Sequence, residues 1–263
     1  MIELKNIIHR FPGSDWELDI PSFSIQSSEI MGIIGPNGSG KSTLLRISAG
    51  LLNPVKGMVH LSGSNIRKIK RKEIAKKIGF LPQETGSEYD FTVKELVQMG
   101  RYSHTGTFGT LRSTDFEAIR ESIKSTDMEK MSNRRLSQLS GGEKKRAFLA
   151  SVLAQNPDIL LLDEPTSSLD IHRQGQFFHL LLGLAKQGMG VVVVTHDVNF
   201  ASLFCQKLIF LSDGKLISKG DPKTVISKEI IKEVYGEDVL LGRHPETNNP
   251  FLLPRLLIKK SNE

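Results

Sequence analysis

The chain reads as an α/β protein: a buried, largely parallel sheet with an antiparallel sheet beside it and a helical insertion. Three observations carry this reading. The apolar run Ile30-Met31-Gly32-Ile33-Ile34 feeds a glycine-rich loop and then the helix-like stretch Leu44-Leu45-Arg46-Ile47-Ser48-Ala49. The runs Ile159-Leu160-Leu161-Leu162 and Val191-Val192-Val193-Val194 are apolar at every position, as strands covered on both faces are. Residues 92–155 instead show helical spacing in Val93, Leu96, Val97 and Met99, with few β-branched runs.

The glycine loop reads Gly35-Pro36-Asn37-Gly38-Ser39-Gly40-Lys41-Ser42-Thr43 and fits G-x-x-x-x-G-K-[ST], a P-loop. Glycines let backbone N–H groups turn inward around phosphate oxygens, where a Cβ would block approach. The helix that follows offers its unpaired N–H groups and positive dipole end to the same anion. Lys41 is expected to reach the β- and γ-phosphates, and the Ser42 hydroxyl to complete a Mg²⁺ shell. An ordinary glycine turn explains neither Lys41-Ser42 nor the flanking elements. The loop predicts binding of ATP or GTP.

Composition bounds the rest. A chain of 263 residues holds one large α/β core, or a core with a smaller inserted lobe. The net charge is +6, with one dense basic run at Arg67-Lys68-Ile69-Lys70-Arg71-Lys72. That run reads as a solvated helix face, or else as a contact for nucleic acid or anionic lipid. The single cysteine, Cys205, excludes an internal disulfide and fits a reducing compartment. The start, Met1-Ile2-Glu3-Leu4-Lys5, shows no secretory apolar core, and the longest apolar stretches fall far below the ~18 residues of a membrane span. A cytoplasmic protein is expected, with any membrane role coming through a partner.

Taken in order, Ile2 and Leu4 alternate with Glu3 and Lys5 as a strand with one wet face does. After a Pro12-Gly13 turn, the stretch Leu18 to Ile25 continues an antiparallel sheet. Phe11 and Trp16 flank that turn, and each reads either as a ring packed on the sheet or as one stacked on a purine base. Gly50 is a plausible end for the loop helix. A turn at Asn53-Pro54 leads to the short strand Gly57 to Leu61, then the basic helix, then the strand Ile78-Gly79-Phe80-Leu81 with Gln83 just beyond. Polar, glycine-containing material at 100–115 separates the first helix of the insertion from a second around 115–124.

The insertion closes with Leu139-Ser140-Gly141-Gly142-Glu143 and a helix over 143–155. Ser140 and Glu143 have the spacing of a capping box. Two details point past a mere cap: paired glycines leave the helix end open to close approach, and Lys144, Lys145 and Arg146 sit where the dipole disfavours cations. Both make sense if that end faces a polyanion. The strand 159–164 ends in two carboxylates whose side chains point opposite ways, so Asp163 suits Mg²⁺ and Glu164 is free to orient and deprotonate a water. A helix is predicted from Gln174 to Lys186. His196 ends the 191–194 strand at the edge where open α/β sheets bind ligands, and reads equally as structural. A hairpin over 207–218, short helices near 221–227 and 228–235, and an extended Pro-containing tail complete the chain.

Together these segments closely resemble the ATP-hydrolysing subunit of ABC transporters, over nearly the whole chain and in the family's order. The resemblance places the phosphate loop at 35–43, the glutamine loop at Gln83, the signature at Ser140-Gly141-Gly142-Glu143, the acidic strand at 159–164, the aspartate-ended loop at Ser168-Leu169-Asp170 and the switch histidine at His196. It implies a P-loop NTPase core with an antiparallel β-subdomain and an inserted α-helical subdomain. The division expected is a RecA-like core with its β-subdomain over 1–91 and 156–225, a helical signature subdomain over 92–155, and a tail over 226–263. The family's base-stacking aromatic aligns with Phe11 rather than Trp16. Glu143 stands where many members carry glutamine.

The resemblance further implies ATP and Mg²⁺ as cofactors, with Gln83 joining Ser42 and Asp163 at the metal and Glu164, His196, Gln83 and Lys41 in the catalytic set. It implies a head-to-tail homodimer in which each ATP lies between one subunit's loop and the other's signature helix, and it counts Asp170 among the nucleotide-binding residues. Integral membrane permease subunits, and through them a substrate-binding receptor, are the expected partners at the cytoplasmic face of the membrane; no nucleic acid is expected. Phe91 to Val97, Met99-Gly100-Arg101-Tyr102 and the tail Tyr235-Gly236 through His244-Pro245-Glu246-Thr247 to Pro254 look like importers of iron–siderophore, haem and cobalamin. Manganese and zinc importers share the Gly-Arg-Tyr feature but less of the tail. A soluble ATPase of iron–sulfur cluster assembly would carry the same motifs without transport. Nucleic-acid or ribosome-associated members usually carry two such cassettes, and this chain has one.

Overall fold

The alternation at the start of the chain forms strand β1 (Ile2–Arg10), which pairs antiparallel with β2 (Glu17–Ile20) and β3 (Phe23–Ile25). The stretch read as continuous over Leu18–Ile25 breaks at Pro21-Ser22, because proline has no N–H for the ladder. β4 (Ile30–Ile34) opens into the phosphate loop and α1 (Lys41–Ser48) leaves it. Gly50 ends α1 in the left-handed region at φ 67°, where the Leu51 N–H donates to the Arg46 carbonyl. β5 (Lys56–Leu61) and β6 (Ser64–Asn65) extend the antiparallel sheet. The computed structural model describes residues 1–84, 90–106, 110–167, 169–236 and 239–255. The expectations for Ser168 and for the tail at 256–263 lie outside them.

The basic run is not the single helix the sequence suggested. It forms a 3₁₀ turn at Ile66–Lys68 and then the five-residue α2 (Arg71–Ala75). Nor is it wholly a solvated face. Arg67 Nη2 donates to the Pro54 carbonyl at 2.6 Å, Arg71 to the Gly50 carbonyl and Lys72 to the Thr105 carbonyl. Three of its cations thus fasten backbone.

After β7 (Ile78–Leu81) the chain enters α3 (Val93–Met99), α4 (Ser113–Ser125) and α5 (Gly141–Leu153). These pack on their own cluster, with Val93, Val97, Met128, Ala147 and Ala150 fully buried. A capping box starts α3: Thr92 Oγ1 accepts from the Glu95 N–H at 3.2 Å, and the Glu95 carboxylate accepts from the Thr92 N–H at 2.8 Å. Arg101 fastens the insertion, its guanidinium meeting Asp115 Oδ1 at 2.7 Å and donating to the Ala154 carbonyl at 2.6 Å.

The remaining elements are β8 (Ile159–Asp163), α6 (Ile171–Lys186), β9 (Gly190–Val194), α7 (Val198–Phe204), β10 (Lys207–Ser212), β11 (Lys215–Gly220), α8 (Pro222–Val225) and α9 (Lys228–Tyr235). α6 starts three residues before the predicted Gln174, because the Asp170 carboxylate caps it by accepting from the Arg173 N–H at 2.9 Å. The tail is not merely extended: β12 (Val239–Arg243) and β13 (Pro250–Pro254) form an antiparallel hairpin latched to α7. Asn199 exchanges two bonds with Leu252, at 3.1 and 2.7 Å, and Ser202 Oγ donates to the Pro250 carbonyl at 2.6 Å.

The main sheet runs β6-β5-β1-β2-β11-β10-β4-β9-β8-β7, with β3 on β1. From β10 to β7 it is parallel. The pleat sends successive side chains to opposite faces. Ile33, Leu161, Val192 and Val194 meet Leu44, Leu45 and Ile47 of α1, while Ile34, Leu162, Val191 and Val193 meet Phe177, Phe178 and Leu181 of α6. β4 is therefore central, and β4, β7, β8 and β9 all end at one sheet edge. Among the described residues no helix is long and apolar enough to cross a membrane.

Candidate functional site

That edge carries a cleft of about 880 Å³ lined by Phe11, Ser14, Trp16, Gly35 to Gly38, Gly40 to Thr43, Gln83, Glu164, His196 and Tyr235. Gly40 turns the loop into α1 at φ 98°, and a Cβ there would stand 2.9 Å from the Trp16 indole. Both the backbone angle and the close ring demand glycine. Ser39 is buried, with its Oγ unpartnered among the described residues. Lys41 is buried and folds back onto its own loop, donating to the Gly35 and Pro36 carbonyls at 2.9 and 2.7 Å. Burial lowers its pKa, while Glu164 and Asp163 pull it the other way.

β8 ends at Asp163, so Glu164, expected within a strand over 159–164, lies one residue beyond it, and it is not the pleat that places the second carboxylate. Asp163 is buried and accepts a bond from Ser42 Oγ at 2.9 Å. Burial raises its pKa, opposed by the Ser42 bond. Glu164, one residue on, sits in the left-handed region at φ 46°, a strained angle for a non-glycine residue. Its Oε2 accepts from Gln83 Nε2 at 3.1 Å and lies 3.6 Å from His196 Nδ1. Gln83 and His196 come from the ends of β7 and β9, the strands flanking β8. The arrangement holds a carboxylate between two polar groups at the rim of a phosphate loop.

The cleft also separates the two aromatics. Trp16 is half-buried beneath the loop, whereas Phe11 is 43% exposed and stacks on it at 6.1 Å and 23°. Phe11 presents the open ring. Ser140, Gly141, Gly142, Glu143 and Asp170 do not line this cleft. Gly142 and Glu143 line another, of about 460 Å³, with Leu169 and Arg173. Ser140 and Glu143 complete the capping box, the Ser140 N–H donating to the Glu143 carboxylate at 2.7 Å, and both Ser140 and Gly141 are exposed. The basic residues behind them do not all address an anion at that end: Arg146 faces Asp127 at 3.6 Å, and Lys145 turns inward to donate to the Gln83 carbonyl at 2.6 Å. Sequence reasoning missed Tyr235 at the cleft, which arrives through tertiary packing, and it aimed Lys145 at a polyanion where the structure turns it to the Gln83 carbonyl.

A central parallel strand opening into a phosphate loop, with an acidic strand one strand away across β9, defines a P-loop nucleotide-hydrolysing protein. A family model described as "ABC transporter" matches residues 18–167. Over 231 residues the chain is 39% identical to the ferric enterobactin transport ATP-binding protein FepC of Escherichia coli (strain K12), covering 88% of this chain and 85% of that one. A metal-chelate type ABC transporter in an inward-facing conformation has a similar structure, with a TM-score of 0.84, 25% identity and 96% of both chains covered. The dimeric structure of MJ0796, a bacterial ABC transporter cassette, matches with a TM-score of 0.73 and 31% identity, over 84% of this chain and 98% of that one. The chain belongs to the ABC transporter family, as one of its ATP-binding, ATP-hydrolysing proteins.

Proposed function

We propose that this chain powers the import of a metal chelate (an iron–siderophore, haem or cobalamin) by hydrolysing ATP beneath a membrane permease. The observation that carries the mechanism is Glu164, held between Gln83 and His196 at the mouth of the phosphate loop. The Glu164 carboxylate takes a proton from a water whose oxygen bonds the γ-phosphorus as the bond to the ADP oxygen breaks. His196 and Gln83 keep that carboxylate aimed. Lys41 and the N–H groups of Gly38 to Thr43 bind phosphate oxygens, and Phe11 stacks on the base. Ser42, Asp163 and Gln83 fit Mg²⁺: the hydroxyl, carboxylate and amide oxygens suit a hard cation, and one would relieve the burial cost borne by Asp163. When bound, that ion neutralises phosphate charge and orients the oxygens.

The proposed division keeps a nucleotide core at 1–91 and 156–225, a helical lobe at 92–155 and a tail at 226–263. Ser140 to Glu143 and Asp170, which lie outside the phosphate cleft, then serve the ATP of a second copy in a head-to-tail homodimer. The dimeric MJ0796 cassette supports this reading. Permease subunits, and a receptor acting through them, place the pair at the cytoplasmic membrane face. The cargo class rests on the likeness to the ferric enterobactin protein, over 88% of this chain, and to the metal-chelate transporter, over 96% of it.

Glu164→Gln tests the mechanism. Turnover should drop by roughly 10²-fold or more, with ATP still bound and an ATP-held dimer accumulating. Near-normal turnover would remove Glu164 from the role of base. Deleting the gene tests the cargo: growth on a siderophore, haem or cobalamin as sole source should fail, and excess free iron should rescue it for an iron chelate. Loss of free manganese or zinc uptake with chelate uptake intact would overturn that assignment.

A further inference from the structure

Lys145 is a buried ammonium with an unusual use. It lies on the first turns of α5, only 8% exposed, where the helix dipole disfavours a cation. Burying such a charge is costly unless it is well paired. Its hydrogen bond goes to a neutral group, the backbone carbonyl of Gln83, at 2.6 Å. Asp163 and Glu164 attract it through space. The Gln83 side chain in turn donates to Glu164 at 3.1 Å, and Glu164 faces His196 at 3.6 Å. A continuous chain of contacts thus runs from α5 to the proposed base.

We propose that Lys145 is a positioning residue for hydrolysis, fixing the Gln83 peptide so that the position of α5 sets the aim of Glu164. The geometry favours this over a plain staple between helix and core. A staple could end on any carbonyl of the sheet edge, whereas this one ends on the residue whose amide holds Glu164. α5 also begins at the Ser140 cap, little more than one turn before Lys145. A rigid helix moves both together, so displacement of the Ser140 end displaces the Gln83 carbonyl. An engaged helix end and a correctly held base become one event. The inference rests on the reading of Glu164 as base and goes beyond it.

The test is a double-mutant cycle in the full chain, with ATP affinity and single-site turnover measured for each variant. Lys145→Met keeps the apolar stem and removes the donor. It should lower kcat by about ten-fold or more, where a 1 Å misplacement of a reacting group costs up to ~10²-fold, with ATP affinity unchanged. Gln83→Ala should slow turnover as well. If Lys145 acts through Gln83, the double variant is no slower than Gln83→Ala alone. Full multiplication of the two losses would overturn the proposal, as would normal kcat in Lys145→Met. Lys145→Arg, which keeps a donor, should retain most of the activity, and an Arg variant as slow as the Met variant also sinks it. Glu164→Gln run alongside separates the two ideas: a fast Glu164→Gln defeats the base assignment, whereas a dead Glu164→Gln with a fast Lys145→Met defeats only this one.

Discussion

The Ser42 hydroxyl donates to Asp163 Oδ1 at 2.9 Å, joining the first turn of α1 to the end of β8 across 121 positions of sequence. The phosphate loop and the acidic strand are thereby one unit before any ligand arrives. Asp163→Asn keeps the shape and an acceptor for Ser42 but removes the charge. ATP affinity in the presence of Mg²⁺ should fall by about ten-fold or more, the loss of a charged ligand to a hard cation, while affinity in EDTA changes little. Trp16, the sole tryptophan in the chain, lines the cleft, so its emission can follow the titration. An unchanged Mg²⁺ dependence would exclude Asp163 from the metal.

His196 is 59% exposed through its side chain and contributes little to packing. Its removal should therefore act on rate alone. His196→Ala is expected to lower phosphate release by 10- to 100-fold, roughly the worth of an orienting polar group, without moving the thermal midpoint. A lowered midpoint would mark it as structural instead.

Ser140 and Gly141 are exposed at the start of α5, away from the phosphate cleft. Ser140→Arg should abolish hydrolysis while leaving the ATP affinity of the monomer intact. Lys41→Ala should be inactive for the opposite reason. Mixed together, the two inactive proteins place both lesions in one composite site and none in the other, so phosphate release should reappear. Silence in the mixture, or weakened ATP binding by Ser140→Arg alone, would argue against a role in trans.

The Arg101–Asp115 pair is buried, and cutting it leaves one charge without compensation. Arg101→Ala should destabilise the helical insertion by about 3–5 kcal/mol, read by urea unfolding. The N–H of Arg112, followed by Arg101, holds the Asp115 carboxyl below its ordinary value of 3.8. Its contribution to stability is thus fully present above 3.8 and is lost as pH falls through the lowered folded value. Asp115→Asn should flatten that acid limb of the stability curve.

The site was legible where chemistry is local. The phosphate loop, the acidic pair and the ends of the apolar runs each announce themselves within ten residues, because strand, loop and helix must adjoin to bind phosphate. The Thr92–Glu95 capping box was equally open to view as T-x-x-E and was passed over. What stayed hidden depends on distant partners. Nothing around Lys145 says that its ammonium will find the Gln83 carbonyl, and nothing in the basic run at 67–72 says that Arg67, Arg71 and Lys72 will each end on a carbonyl. The tail hairpin was missed because its strands are short and its support comes from Asn199 and Ser202 on α7. Gly100-Arg101-Tyr102, read as a family mark, owes part of its pattern to packing: Arg101 spans α4 and the end of α5.

The placement of the Ser140 end outside the cleft that holds Lys41 has a consequence for reaction order. If a working site is assembled from two copies, a solitary chain holds ATP but has no complete site. At concentrations where most chains are single, halving the protein would quarter the rate rather than halve it. A permease that holds two copies side by side removes that dependence, so the bare protein would idle in dilute solution and work at full rate only where it is docked.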